Sequence, residues 1–113
     1  MNSGTRDQLG FFCLGDDLTR LSFALVGIPG ETPADARETR RLLKRARNDK
    51  QVGIILITER LAREVQEDIT RLREQDYLPI ILEIPEFSGP LPSRLSQWEQ
   101  VQRWLGLPVR STP

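Results

Sequence analysis

Val52-Gly53-Ile54-Ile55-Leu56-Ile57-Thr58 is the stretch on which the fold turns. Its four consecutive branched apolar residues, Ile54 to Ile57, leave no side for water, which predicts a strand covered on both faces, as in a parallel sheet. Thr58 offers an N-cap for a helix over Glu59–Glu74, where Leu61, Val65, Ile69 and Leu72 recur as one buried stripe. Opposite charges four apart, Glu59–Arg63, Arg60–Glu64 and Glu67–Arg71, mark its wet side. Leu78–Ile84 (LPIILEI) reads as the next strand, with Pro79 at its start, where a missing ladder donor does least harm. Val52–Ile84 is therefore one βαβ unit, right-handed with parallel strands.

Working outward, Leu9–Leu14 (LGFFCL) is a first strand closing on Gly15. Asp16 or Asp17 can cap a short helix over Leu18–Val26, whose apolar residues include Leu18, Leu21, Ala24 and Leu25; Gly27 and Pro29-Gly30 end it. A second helix runs from about Pro33 to about Arg47, with Ala36, Thr39, Leu43 and Ala46 as its core stripe and Leu42 beside it. After Ile84 the texture changes. Pro85–Pro92 is rich in Pro and Gly, and Ser93–Leu105 is amphipathic, with Leu95, Trp98, Val101, Trp104 and Leu105 on one side. Gly106 and Pro108 stop that helix. The expected organisation is an α/β domain over residues 1–85, a hinge over 86–92, a C-terminal helix over 93–105 and a tail over 106–113.

The chain has 113 residues, sixteen basic and sixteen acidic, no histidine and one cysteine, Cys13. That length builds a single core. The charge balance gives poor support for general nucleic-acid binding. An intrachain disulfide, an ordinary His/Cys zinc site and any His-based triad or general base are excluded by composition. No segment is apolar for long enough to cross a bilayer, and Met1–Gln8 is polar, so a cytoplasmic location is expected.

Gly15-Asp16-Asp17 sits where a parallel α/β sheet presents its strand ends, and two carboxylates there could hold Mg²⁺ as receiver domains do. A receiver also needs an aspartate after the next central strand and a lysine one strand later. Thr58-Glu59 and Ile84-Pro85 occupy those places, so helix capping is the better reading. Gly27-Ile28-Pro29-Gly30 follows a helix, and neither GxxxxGK[ST] nor GxGxxG occurs, so no cofactor or nucleotide site is expected. Cys13 reads as a small core residue with no base to activate it. The Arg37–Lys50 stretch is strongly basic, as a solvated face or a surface for an acidic protein partner. Trp98 and Trp104 are offset by ~120° around their helix, so one can pack inward while the other is left outside.

Gly15-Asp16, Phe23-Ala24-Leu25-Val26-Gly27-Ile28, Pro33-Ala34-Asp35, Val52–Glu59 and Leu78–Pro85 occur in the order and spacing of the F subunit of the V-type and A-type rotary ATPases, prokaryotic type, and the chain resembles that family from about Leu9 to Gly89. The resemblance implies a Rossmann-like or receiver-like three-layer α/β domain with a short parallel sheet and a C-terminal helix. Where the family commonly has a full second strand, only Pro29-Gly30-Glu31-Thr32 stand between Ile28 and Pro33. Four residues reach ~13 Å, enough to pass the sheet edge. Three full strands and a vestigial edge near Ile28–Glu31 are therefore expected, with the first strand less protected. The resemblance further implies a non-catalytic rotor component on the central stalk. It would bind the coiled-coil D subunit and couple ATP hydrolysis or synthesis to proton or sodium transport, peripheral to the membrane through the complex. The C-terminal helix would be a regulatory element. Candidate partner-binding residues are Phe87, Leu95, Trp98, Val101, Trp104, Leu105, Arg41 and Arg45. The alternative is a free-standing interaction adaptor that reuses the fold.

Overall fold

The computed structural model describes residues 9–75, 78–87 and 91–106, with side chains in the last segment from residue 97 onward. The elements run β1 (Gly10–Leu14), α1 (Asp17–Ala24), β2 (Gly30–Glu31), α2 (Ala36–Arg47), β3 (Val52–Thr58), α3 (Glu59–Glu64), α4 (Gln66–Gln75), β4 (Ile80–Ile84) and α5 (Leu91–Trp104). The strands form one parallel sheet in the order β2-β1-β3-β4. The expected α/β architecture is present, and β2 is the two-residue remnant foreseen at the edge.

Strand side chains alternate between two cores, except at Val52, where an irregular register opposite Gly10 and Phe11 breaks the alternation. Leu14, Ile55, Ile57 and Ile81 meet α2, α3 and α4 through Leu42, Leu43, Ala46, Ala62, Val65 and Ile69. On the other face Cys13, Leu56 and Ile84 meet Phe23 of α1 and Val101 of α5. β3 lies between β1 and β4, pairing Leu14↔Ile57 on one side and Ile57↔Glu83 on the other, which accounts for its continuous apolar run.

Local chemistry sets the helix ends. Asp16 caps α1 by accepting from Thr19 N at 3.2 Å. α1 ends in a Schellman turn, with Gly27 N donating to Ala24 O (3.0 Å) and Ile28 N to Phe23 O (3.0 Å). Gly27 has φ +89°, a conformation natural only to glycine, and Phe23 and Ile28 close the turn inside the core. α2 starts at Ala36 rather than Pro33, because Asp35 accepts from Glu38 N (2.9 Å) while Glu38 Oε1 accepts from Ala34 N (2.9 Å).

The single helix expected over Glu59–Glu74 is two helices, α3 and α4, broken at Val65 (φ −129°, ψ 32°). The Ala62 carbonyl accepts from Val65 N at 3.0 Å and from the Gln66 amide at 3.2 Å, and the break lets Ala62, Val65 and Ile69 all be buried. Thr58 precedes α3, yet its hydroxyl makes no cap hydrogen bond and is buried without a partner. None of the three expected i,i+4 ion pairs forms among the described residues. Arg60 reaches Glu86 at 3.9 Å and Arg71 reaches Asp68 at 3.8 Å, since exposed pairs gain too little to dictate a partner. α5 begins at Leu91, inside the span assigned to a hinge; Pro92 is tolerated there because first-turn donors have no helical acceptor. Ser88–Pro90 of that span and residues 107–113 of the tail lie outside the described residues.

The two sheet edges differ. At β4, Arg73 donates to Ile81 O at 2.7 Å, occupying an edge carbonyl from α4. At β1 the short β2 covers only Cys13 and Leu14, and beside Gly10, Phe11 and Phe12 lies a cleft of about 710 Å³ that also touches Val26, Ile28 and Leu105. Gly30 makes the remnant possible, because a Cβ there would run into the Cys13 carbonyl oxygen. Gly30→Ala should cost about 1–3 kcal/mol in urea unfolding and raise self-association in sedimentation experiments as β1 loses its cover.

Burial pushes the Cys13 thiol up from its ordinary value of 9.0 to about 12, with Asp16 adding to the effect and Arg20 opposing it. The folded chain therefore holds this proton while the unfolded chain releases it, and stability falls between pH 9.0 and about 12. Wild type should lose stability relative to Cys13→Ala across that alkaline window in urea titrations. Below it, native Cys13 should resist a thiol reagent that labels it in urea.

Candidate interaction surface

The crevice where a doubly wound sheet usually holds ligands lies here between the ends of β1 and β3. Thr19 Oγ1 donates to Asp16 Oδ1 at 2.5 Å and accepts from Phe87 N at 3.0 Å, so the segment leaving β4 is tied to the cap of α1. A Cβ on Gly15 would come within 2.9 Å of Thr58 Cγ2, so the bottom of the crevice is closed. Asp16 is thus a cap and an anchor. Among the described residues no group of three or more acidic, Cys or His side chains could hold a metal ion.

Phe87 itself is buried in the core that α1 and α5 share. Its ring lies 5.8 Å from Phe23 and 5.9 Å from Trp98, and Trp98 meets Phe23 edge-on at 5.5 Å. Such tilted and edge-to-face contacts are each worth about 0.5–1.5 kcal/mol beyond the area they bury. Val101, fully buried, and Leu105, half-buried, continue the seam of α5 against α1 and the sheet.

The residues singled out from sequence therefore divide. Phe87, Trp98, Val101 and Leu105 come together and face inward, where they hold α5 down. Trp104 faces outward, 46% exposed. The side chain of Leu95 lies outside the described residues. Arg41 and Arg45 stand on α2, across the sheet, engaged with Glu38 at 3.6 Å and with Glu31.

Sequence reasoning missed the outer face of α1. Thr19 and Phe23 supply its inward side, which leaves Leu18, Leu21, Leu25 and Val26 exposed, Leu25 by 80%. Leu18, Leu21 and Leu25 recur at three and four residues, the seam by which one helix packs on another. The signal was available: α1 and the turn after it carry more apolar residues than one inward stripe can bury. Val26 and Leu105 touch the same cleft, so this seam ends beside the end of α5.

The sequence profile of the family described as ATP synthase (F/14-kDa) subunit matches residues 12–101. The chain is 36% identical over 102 residues to the A-type ATP synthase F subunit of Thermococcus kodakarensis, covering 86% of this chain and 94% of that one. It is 37% identical over 81 residues to the A-type F subunit of Methanothermobacter thermautotrophicus, covering 68% and 73%. The V-type ATP synthase F subunit of Fusobacterium nucleatum is 32% identical over 78 residues, covering 69% and 72%. With the profile matched over most of its length and relatives at 32–37% identity, the chain belongs to the ATP synthase F (14-kDa) subunit family.

Proposed function

We infer that this chain is a non-catalytic part of the central stalk of a V/A-type rotary ATPase, held on the coiled-coil D subunit. It would help relay rotation between the ATP-hydrolysing head and the ring that moves protons or sodium ions through the membrane. The observation that carries the reading is the exposed seam Leu18, Leu21 and Leu25, with Val26 and Trp104 near its end. A stalk helix presenting apolar residues at the same three-and-four spacing would bury it. No described helix is long and apolar enough to cross a membrane, so the chain would reach the membrane complex through protein contacts.

α5 is the regulatory element in this reading. It rests on the domain through Phe23, Phe87 and Trp98, and its approach is pinned by a hydrogen bond from Phe87 N to Thr19. Release of that latch would free Phe87, Trp98 and Val101 to meet a partner and would bias the complex between running and inhibited states.

Leu21→Glu and Leu25→Glu should each change the stability of the isolated chain by no more than about 0.5 kcal/mol. Both should abolish its co-purification with the coiled-coil D subunit in a reconstituted stalk; retention of that partner by both would overturn the attachment surface. Trp104→Ala should be similarly neutral alone, whereas Trp98→Ala should cost about 2–4 kcal/mol. Thr19→Val leaves the Phe87 amide unpaired at a cost of about 1–3 kcal/mol. Hydrogen exchange in that variant should speed up along α5 and stay slow along β3. An unchanged ATPase rate in complexes carrying Thr19→Val, and in complexes whose chain lacks residues 94–113, would remove the regulatory role.

A further inference from the structure

The edge of β1 next to β2 is open along its first residues. Backbone groups along β1 alternate in direction. Cys13 N donates outward to Pro29 O at 2.9 Å and Gly15 N to Glu31 O at 3.3 Å, whereas Gly10 N turns inward to Gln51 O at 2.6 Å. Phe11 therefore presents its N–H and C=O on the same side as Cys13, yet β2 pairs only with Cys13 and Leu14. Among the described residues nothing pairs with the Phe11 backbone on that side, because Ile28 has left the edge to donate to Phe23 O in the turn that ends α1. An unpaired donor and acceptor on a strand edge are a template for another strand. The cleft of about 710 Å³ lies beside this edge. Half-exposed Val26 and half-buried Leu105 form one wall, on the face of the sheet that α1 and α5 cover. Phe12, Val52 and Asp49 lie toward the other face, where α2 packs. Asp49 is the one charged group among the described residues that line the cleft. Its Oδ1 accepts from Gln51 N at 2.9 Å within its own turn, and no cation meets it among the described residues.

We propose that this cleft takes an extended segment of a partner protein as an added strand beside β1, one that carries an apolar residue with a basic residue next to it. The free backbone groups of Phe11 select an extended polypeptide, since a helix has already paired its own and a small apolar molecule has none to offer. Neighbouring side chains of an added strand turn to opposite faces. The one turned toward Val26 and Leu105 meets apolar walls, and the next one, on the α2 side, reaches the Asp49 carboxylate when it is Lys or Arg. An acidic segment or a nucleic-acid backbone would meet that carboxylate with no cation in the described lining to offset it. The cleft differs in kind from the α1 seam, which offers side chains alone.

The test uses the intact chain and a dye-labelled synthetic peptide of about six residues, a common strand length. The peptide alternates valine with threonine and has arginine in place of the central threonine; fluorescence anisotropy should show saturable binding. Hydrogen exchange of the Phe11 amide should slow about tenfold or more on binding, while that of Cys13, already bonded to Pro29 O, should not change. Asp49→Asn, which keeps an acceptor for Gln51 N, should weaken binding about three- to fivefold and flatten its salt dependence. Val26→Ser should weaken it about fivefold. Both variants are checked for an unchanged thermal midpoint. Equal binding of the peptide with its backbone amides N-methylated, equal binding with glutamate for arginine, or amide changes centred on Leu18–Leu25 would each overturn the proposal. So would an absence of saturable binding. A dimer of the free chain in sedimentation that the peptide dissociates would also overturn it, because a second copy would then be the occupant.

Discussion

β3 has no face that water can be allowed to touch, and the rest of the molecule follows from that constraint. Ile55 and Ile57 point one way and Ile54 and Leu56 the other, so helices must cover both sides of one short sheet. Parallel neighbours with right-handed crossovers are the economical way to do so. The connection from α1 to α2 then has to pass the edge of β1, and five residues from Ile28 to Thr32 do it, leaving a strand of only two residues. The open cleft beside Gly10–Phe12 is the cost of that short route.

The two faces are not covered equally. Three helices lie over one, and on the other α1 has eight residues and turns only Thr19 and Phe23 inward. Phe87 and α5 therefore finish the second core, with Trp98 and Val101 standing where a longer α1 would have supplied side chains. The C-terminal helix is consequently a structural member, and any excursion it makes has to replace those contacts with others of comparable value. A helix seated in this way would be bistable only if a partner offered the same aromatic and aliphatic residues an equivalent seat.

The α/β class, the covered central strand, the edge remnant and the cap at Asp16 were legible in the sequence because each rests on local chemistry or on periodicity within a few residues, whereas the cap at Asp35 was passed over for a start at Pro33. The break at Val65 was not legible. No glycine or proline marks it, and the side chain that stabilises it, Gln66, does so by reaching both Ala62 O and Glu83, on a strand far along the chain. Among the candidate partner residues, the division of Trp98 from Trp104 followed from helical geometry, whereas the inward turn of Phe87 depended on Thr19, sixty-eight positions away. The exposed leucines of α1 escaped notice for a related reason: which side of a short helix is buried is decided by what the sheet presents to it.

The hydrogen bonds from Thr19 to Asp16 and from Phe87 N to Thr19 tie the segment leaving β4 to the start of α1, whose outer face stays exposed. Attraction through an apolar seam such as Leu18, Leu21 and Leu25 is short-ranged and nearly indifferent to salt. The seam and the core therefore share a cause: the strand that demands cover on both sides brings α1 to the sheet, and α1 buries only Thr19 and Phe23 there.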